Sequence, residues 1–145
     1  DRDELTRKRK FYENKTRTVL KDISDKSVLR DLYIENRDDE IYSILFNYFS
    51  SINKILWSNA EQNSIINKTI GISALYDVLK SLLEKDKSIS DFDECIKKLV
   101  CIPYTDNYFS LSGKGKTRLK RVMKYHIGLI TQQELKEEDM EHLQK

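Results

Sequence analysis

The sequence predicts a mainly α fold: a compact multi-helix domain with at most a short extended segment near residues 104–112. Two observations carry this. The 145 residues include one proline, Pro103, and four glycines, and helix interiors exclude both residue types. Apolar residues also recur at intervals of three and four, the spacing of one helix face. At 39% apolar and 34% charged, the chain has enough of both for a buried core and a solvated surface. This length predicts one domain, organised as a basic, loosely packed N-terminal segment (1–25), a core (26–130) and an acidic C-terminal helix (131–145). The missing initiator Met suggests a fragment of a longer protein.

Residues 1–25 hold few apolar anchors and predict one helix around 4–12 followed by a loose connection. From Asp25 a short helix passes through Val28, Leu29, Leu32 and Tyr33, with Ser24 or Asp25 as its N-cap. The strongest periodic segment is 38–57, where Ile41, Ile44, Leu45, Tyr48, Phe49, Ile52, Ile55 and Leu56 share one face, which makes it the central core helix. Asp38, Asp39 and Glu40 at its start complement the positive end of the helix dipole. A polar break at 58–63 precedes Ile65, Ile66, Ile70, Ile72, Leu75, Leu79, Leu82 and Leu83, one or two further helices with Gly71 as the joint. Ser90 and Asp91 cap a helix carrying Phe92, Cys95, Ile96, Leu99 and Val100, which Pro103 closes. Asp106-Asn107 is turn chemistry. A last amphipathic helix starts near Gly115, turns Leu119, Val122, Met123, His126, Ile127 and Ile130 inward and exposes Lys116, Lys120 and Lys124. Thr131-Gln-Gln-Glu134 is a capping-box sequence that starts a final acidic helix.

Net charge is only +2, so the total gives no strong steering, and the distribution matters more. Lys114, Lys116, Arg118, Lys120, Arg121 and Lys124 follow one another with no acid between, whereas Glu134, Glu137, Glu138, Asp139 and Glu141 face Lys136 alone. A second basic patch, Arg7, Lys8, Arg9 and Lys10 with Lys15 and Arg17, lies near the start. Cys95 and Cys101 lack metal-ligand spacing and read as small buried apolar residues. Neither a long apolar run nor a charged-then-apolar leader is present, which argues against secretion and membrane spanning and for a cytoplasmic location. His126 reads as a packed histidine, and His142 stands in an acidic tail without a partner. Asp38, Asp39 and Glu40 point in different directions on a helix and make no metal cluster. No nucleophile–base pair or carboxylate pair can be argued from spacing, so no catalytic residue, metal or cofactor is assigned.

The stretch SLSGKGKTRLKRV, 110–122, resembles a phosphate-binding loop, which needs G-x-x-x-x-G-K-[ST]. Gly115, Lys116 and Thr117 satisfy its second half. The first glycine falls at position 110, which is Ser, and only 28 residues follow Thr117, with a helical pattern where such a fold needs further strands. The plain alternative is a glycine turn at a helix start, which needs no ligand; between the two lies a third reading, in which the free N–H groups of that helix start attract anions. With Gly113, Lys114, Gly115, Lys116, Arg118, Lys120, Arg121 and Lys124 it forms a candidate site for nucleic-acid phosphate, joined by Arg7, Lys8, Arg9 and Lys10. Tyr104, Tyr108 and Phe109 lie just upstream.

The segment 40–83, EIYSILFNYFSSINKILWSNAEQNSIINKTIGISALYDVLKSLL, resembles the helical C-terminal part of DGQHR-domain proteins. There an I-Y-x-x-L-x-N-Y-F-like helix, a tryptophan-containing break and a K-T-x-G-x-x-A-L-like helix follow in that order. FSLSGKGKTRL, 109–119, resembles the glycine-lysine turn that comes next. The pentapeptide that names the family does not occur in this chain and belongs to the family's N-terminal half, which is similar to ParB-type nucleotide-binding folds. The resemblance implies a bacterial protein of DNA-modification and defence operons, including the DndB branch of DNA phosphorothioation, associated with DNA binding. It also implies the N-terminal DGQHR half or other modification-system proteins as partners. The leading expectation is a non-enzymatic DNA-binding or accessory domain. The alternatives are a structural or protein-interaction domain with a merely solvated basic helix and, third, a nucleotide-dependent enzyme using Lys116 and Thr117.

Overall fold

Periodic apolar spacing and scarce breakers yield helices throughout. The computed structural model describes residues 2–14, 16–21, 23, 27–110 and 113–143, and among these it contains seven α-helices, five 3-10 turns and no strand. The helices are α1 (Arg2–Asn14), α2 (Arg30–Ile34), α3 (Asp38–Ile55), α4 (Thr69–Lys85), α5 (Asp93–Lys97), α6 (Gly113–Ile127) and α7 (Glu137–Met140). The segment near 104–112 forms a 3-10 turn, Asn107–Phe109, rather than a strand. Residue contacts divide the chain into two compact units, 1–45 and 46–145, with the boundary inside α3. That boundary coincides with neither segment joint read from the sequence, 25/26 or 130/131.

In the first unit, Arg17 is the organising side chain. Its guanidinium lies 4.1 Å from the centre of the Tyr33 ring, donates to the Tyr33 carbonyl at 3.1 Å and forks onto both oxygens of Asp38. Tyr33 also meets Phe11 of α1 edge-on. Ile23 and Ile34 are buried, and Arg30 donates to the Ile23 carbonyl. Helix α2 begins at Arg30, later than expected, and the anticipated cap at Ser24 or Asp25 lies outside the described residues. Asn36 ends α2 with φ 58°, a left-handed conformation that Asn tolerates; the Arg37 amide then reaches back to the Leu32 carbonyl.

In the second unit, the C-terminal part of α3 contributes Tyr48 and Ile52, both fully buried, and buried Leu56 follows directly after the helix. Tyr48 can be buried because its hydroxyl donates to the Leu75 carbonyl at 2.7 Å while its ring meets Phe92 edge-on. Helices α4 and α6 form the main pair: Ala74, Leu75 and Val78 on one and Leu119, Val122 and Met123 on the other are all completely buried. Trp57, just past α3, stacks on Phe49 and donates its indole N–H to the Ile66 carbonyl at 3.2 Å.

Gly71 is not the joint the sequence suggested. The joint is extended Lys68, and Gly71 lies in the first turn of α4, where an added Cβ would fall 2.4 Å from the Ile65 carbonyl oxygen and 2.5 Å from that of Ile66. It permits a close approach rather than a bend. Phe92, not Ser90 or Asp91, stands at the N-cap of α5, and Asp91 accepts from the amide of Asp93, the first helical residue; Asp106 caps the Asn107–Phe109 turn by accepting from the Tyr108 amide. Helix α6 ends at Gly128, φ 80°, with the Leu129 amide bonded to the Lys124 carbonyl. The Thr131 capping box forms as expected, yet it starts only a 3-10 turn, Gln132–Glu134. The expected acidic helix is broken at extended Leu135 and Lys136, and α7 is a separate single turn. No helix among the described residues is long and apolar enough to cross a membrane.

Candidate phosphate-binding site at the start of helix α6

The glycine-lysine stretch is the first turn of α6. Gly113 to Thr117 are helical, and the Thr117 hydroxyl donates to the Gly113 carbonyl at 3.0 Å, so it serves the helix itself. Gly115 lets this turn approach the preceding segment: a Cβ there would stand 2.0 Å from the Ser110 carbonyl oxygen. Beside the turn lies a cleft of about 440 Å³ lined by Gly113, Lys114, Thr117, Arg118, Arg121, Lys136 and Glu138. Four cations and one carboxylate therefore face it.

The six basic residues of α6 are in unequal positions. Lys114 is exposed and Lys116 half-buried, and neither forms an ion pair with a described residue. Arg118 lies 4.3 Å over the Tyr108 ring, donates to the Tyr108 carbonyl and pairs with Glu138 at 2.9 Å. Lys120 pairs with Asp77 of α4 at 3.4 Å. Arg121 grips Asp139 through Nε at 2.8 Å and Nη2 at 3.0 Å. Lys124 is half-buried; burial lowers its pKa, Lys120 and Lys80 add to this, and Asp77 and Glu84 oppose it. The basic helix is thus partly neutralised by the fold, which the run of cations alone does not reveal.

Asp139 is the centre of this arrangement. It is fully buried and accepts from the Tyr108 hydroxyl at 2.6 Å, from Arg121 twice and from the Lys136 amide. Burial pushes its pKa up, but the hydrogen bonds from Arg121, Tyr108 and Lys136 outweigh this and hold the carboxyl below its ordinary value. Burial and the Asp139 carboxylate raise the Tyr108 hydroxyl well above its usual range. Tyr108 carries Arg118 on its ring and stacks on His142 at 3.9 Å between ring centres. His142, expected to lack a partner, also meets Asp106 through Nδ1 at 2.9 Å. These pairs lie 31 and 36 residues apart, and no spacing rule reaches that far. The aromatic trio upstream of the turn is structural: Tyr104 and Phe109 are buried, and Tyr104 donates to the Leu99 carbonyl.

The second basic patch belongs to α1. Lys8 pairs with Glu4 and Arg9 with Glu13, while Lys10 is exposed and Arg7 half-buried. Asp38 and Glu40 are taken by Arg17 and Arg37, and no group of three or more metal-ligating side chains occurs among the described residues.

Cys101 corrects the reading of two buried thiols: it is exposed, and Cys95 is half-buried. The Cys101 Sγ lies 3.4 Å from both the Lys98 carbonyl oxygen and His126 Nδ1, a pair 25 residues apart that spacing could not show. His126 is packed as expected, its Nε2 buried without a hydrogen-bond partner. Burial lowers its pKa, which makes it a poor acceptor for a thiol proton.

Among known proteins, no family model, curated sequence or solved structure matches the chain.

Proposed function

We propose that the 46–145 unit is a non-catalytic module that binds nucleic-acid phosphate in the α6 cleft, as part of a bacterial DGQHR-type protein of DNA modification or defence. The observation that carries the phosphate reading is the cleft lining: Lys114, Arg118, Arg121 and Lys136 beside a helix N-terminus, with Glu138 as the one carboxylate. Helix N-termini and guanidinium groups both favour phosphate oxygens. Lys114 and Lys136 are the foremost contacts, because both line the cleft and are exposed, whereas Arg118 and Arg121 are engaged by Glu138 and Asp139. The family assignment rests on the sequence resemblance.

Each cation that neutralises a phosphate releases condensed counterions, so duplex affinity should fall steeply with salt. Replacing both Lys114 and Lys136 by Ala should reduce the slope of log K against log salt by roughly 1.8 and weaken unrelated sequences alike. Fluorescence anisotropy with labelled duplex DNA at several salt concentrations measures this.

Arg118, Lys120 and Arg121 already have acidic partners, and this favours the second reading, a structural or protein-interaction domain. No binding at low salt, or an unchanged slope, would put that reading first. Mg-ATP turnover abolished by Lys116→Ala would instead favour the nucleotide-dependent enzyme.

A further inference from the structure

Glu138 and Asp139 are neighbours in sequence, and they do different things. Asp139 is fully buried and bound from three directions, so it anchors the C-terminal segment against α6. His142 reinforces the anchor by stacking on Tyr108 and meeting Asp106. Glu138 remains 45% exposed, stands on the wall of the cleft and takes the Nη2 donor of Arg118. Arg118 does not depend on Glu138 for its position, because the Tyr108 ring and carbonyl hold it from behind. A phosphate oxygen could replace the Glu138 carboxylate on the same guanidinium with no change in chemistry.

We infer that the acidic C-terminal segment is an autoinhibitory cap, in which Glu138 occupies the Arg118 end of the cleft and nucleic-acid phosphate must displace it. This rests on the phosphate reading of the cleft. Asp139 and His142 keep the segment attached, and the exchange is confined to the Glu138 side chain. In the capped state Arg118 is neutralised; in the open state it joins Lys114 and Lys136 on the phosphate. The cap therefore weakens binding and flattens its salt dependence, since the displaced Glu138 carboxylate takes up a cation as the nucleic acid releases one.

The test uses the 145-residue chain and a fluorescein-labelled DNA duplex, with four proteins compared by anisotropy over a range of salt: wild type, Glu138→Gln, Glu94→Gln, and Lys114→Ala with Lys136→Ala. Glu94 pairs with Lys97 on α5 and does not line the cleft, so Glu94→Gln reports the effect of net charge alone. At low salt Glu138→Gln should bind at least about threefold more tightly than either wild type or Glu94→Gln, with a slope steeper by roughly 0.9, one phosphate contact. Binding by Glu138→Gln when wild type does not bind would be the same result in stronger form. If Glu138→Gln matches Glu94→Gln while the double lysine variant still loses affinity, the cap is overturned and the phosphate site stands. If none of the four proteins binds, both readings are overturned.

Discussion

On α1 the cations of the first basic cluster find acids one turn away, Lys8 with Glu4 and Arg9 with Glu13. On α6 the partners are remote: Arg118 meets Glu138 across 20 residues, Arg121 meets Asp139 across 18, and Lys120 meets Asp77 of another helix. The two clusters look alike as strings of Lys and Arg. Pairs four apart on an exposed helix are screened and belong to that helix alone. The α6 pairs fasten a separate chain segment, and at Asp139 they do so in a buried setting where losing a partner is costly. Neutralising a charge should therefore matter little on α1 and much at the end of the chain.

The strongest test of that contrast is Asp139→Ala, which leaves Arg121 and the Tyr108 hydroxyl without their acceptor. Removing one partner of a buried pair costs about 3 kcal/mol at the lower end of the usual range, readable in a denaturant melt; a loss under about 1 kcal/mol would erase the distinction between the clusters. The same group gives a pH dependence. Its folded-state pKa is lowered, so its stabilisation is present above the unfolded carboxyl value of about 3.9 and is lost as pH falls through the folded value. Wild type and Asp139→Asn should thus differ at neutral pH and converge in acid.

Gly115→Ala should come next, at about 2 kcal/mol, because the new Cβ meets the Ser110 backbone carbonyl and the start of α6 must move. Chemical denaturation measures it, and a neutral substitution would show that the turn seats loosely. Tyr108→Phe keeps the ring between Arg118 and His142 but loses the hydrogen bond to Asp139, for about 1 kcal/mol; thermal melts beside Asp139→Ala would show whether the two losses overlap, as shared partners require. Arg9→Gln on α1 should leave the melting temperature unchanged within error. A drop comparable to that of Tyr108→Phe would mean the α1 pairs are not merely superficial.

What could be read in the sequence follows the reach of each physical rule. Periodicity located α3, because a helix buries one face and the spacing of Ile41 to Leu56 records it. The turn at Asp106-Asn107 and the capping box at Thr131 are visible in sequence, because such bonds reach only a few residues away. Gly71 was misread as a joint because a glycine needed for close approach looks the same in sequence as one needed for a bend. The expected acidic helix is broken because burying Asp139 requires the chain to turn at Leu135 and Lys136, a demand set by Arg121 and Tyr108 elsewhere in the chain. In the site, the basic residues and the glycine turn were legible, whereas their acidic partners, the Tyr108–His142 stack and the Cys101–His126 contact were not. Those depend on tertiary pairing, which leaves no periodic trace.

Trp57 is the only tryptophan in the chain, and it lies in the 46–145 unit with its indole N–H on the Ile66 carbonyl and its ring on Phe49. Its emission is therefore an optical reporter of that unit alone, whereas far-ultraviolet circular dichroism sums the helices of both. Melts followed by the two signals in one sample should coincide if the whole chain unfolds in a single step and separate if the units melt independently. No label or added chromophore is needed, and the substitutions discussed above leave the reporter in place.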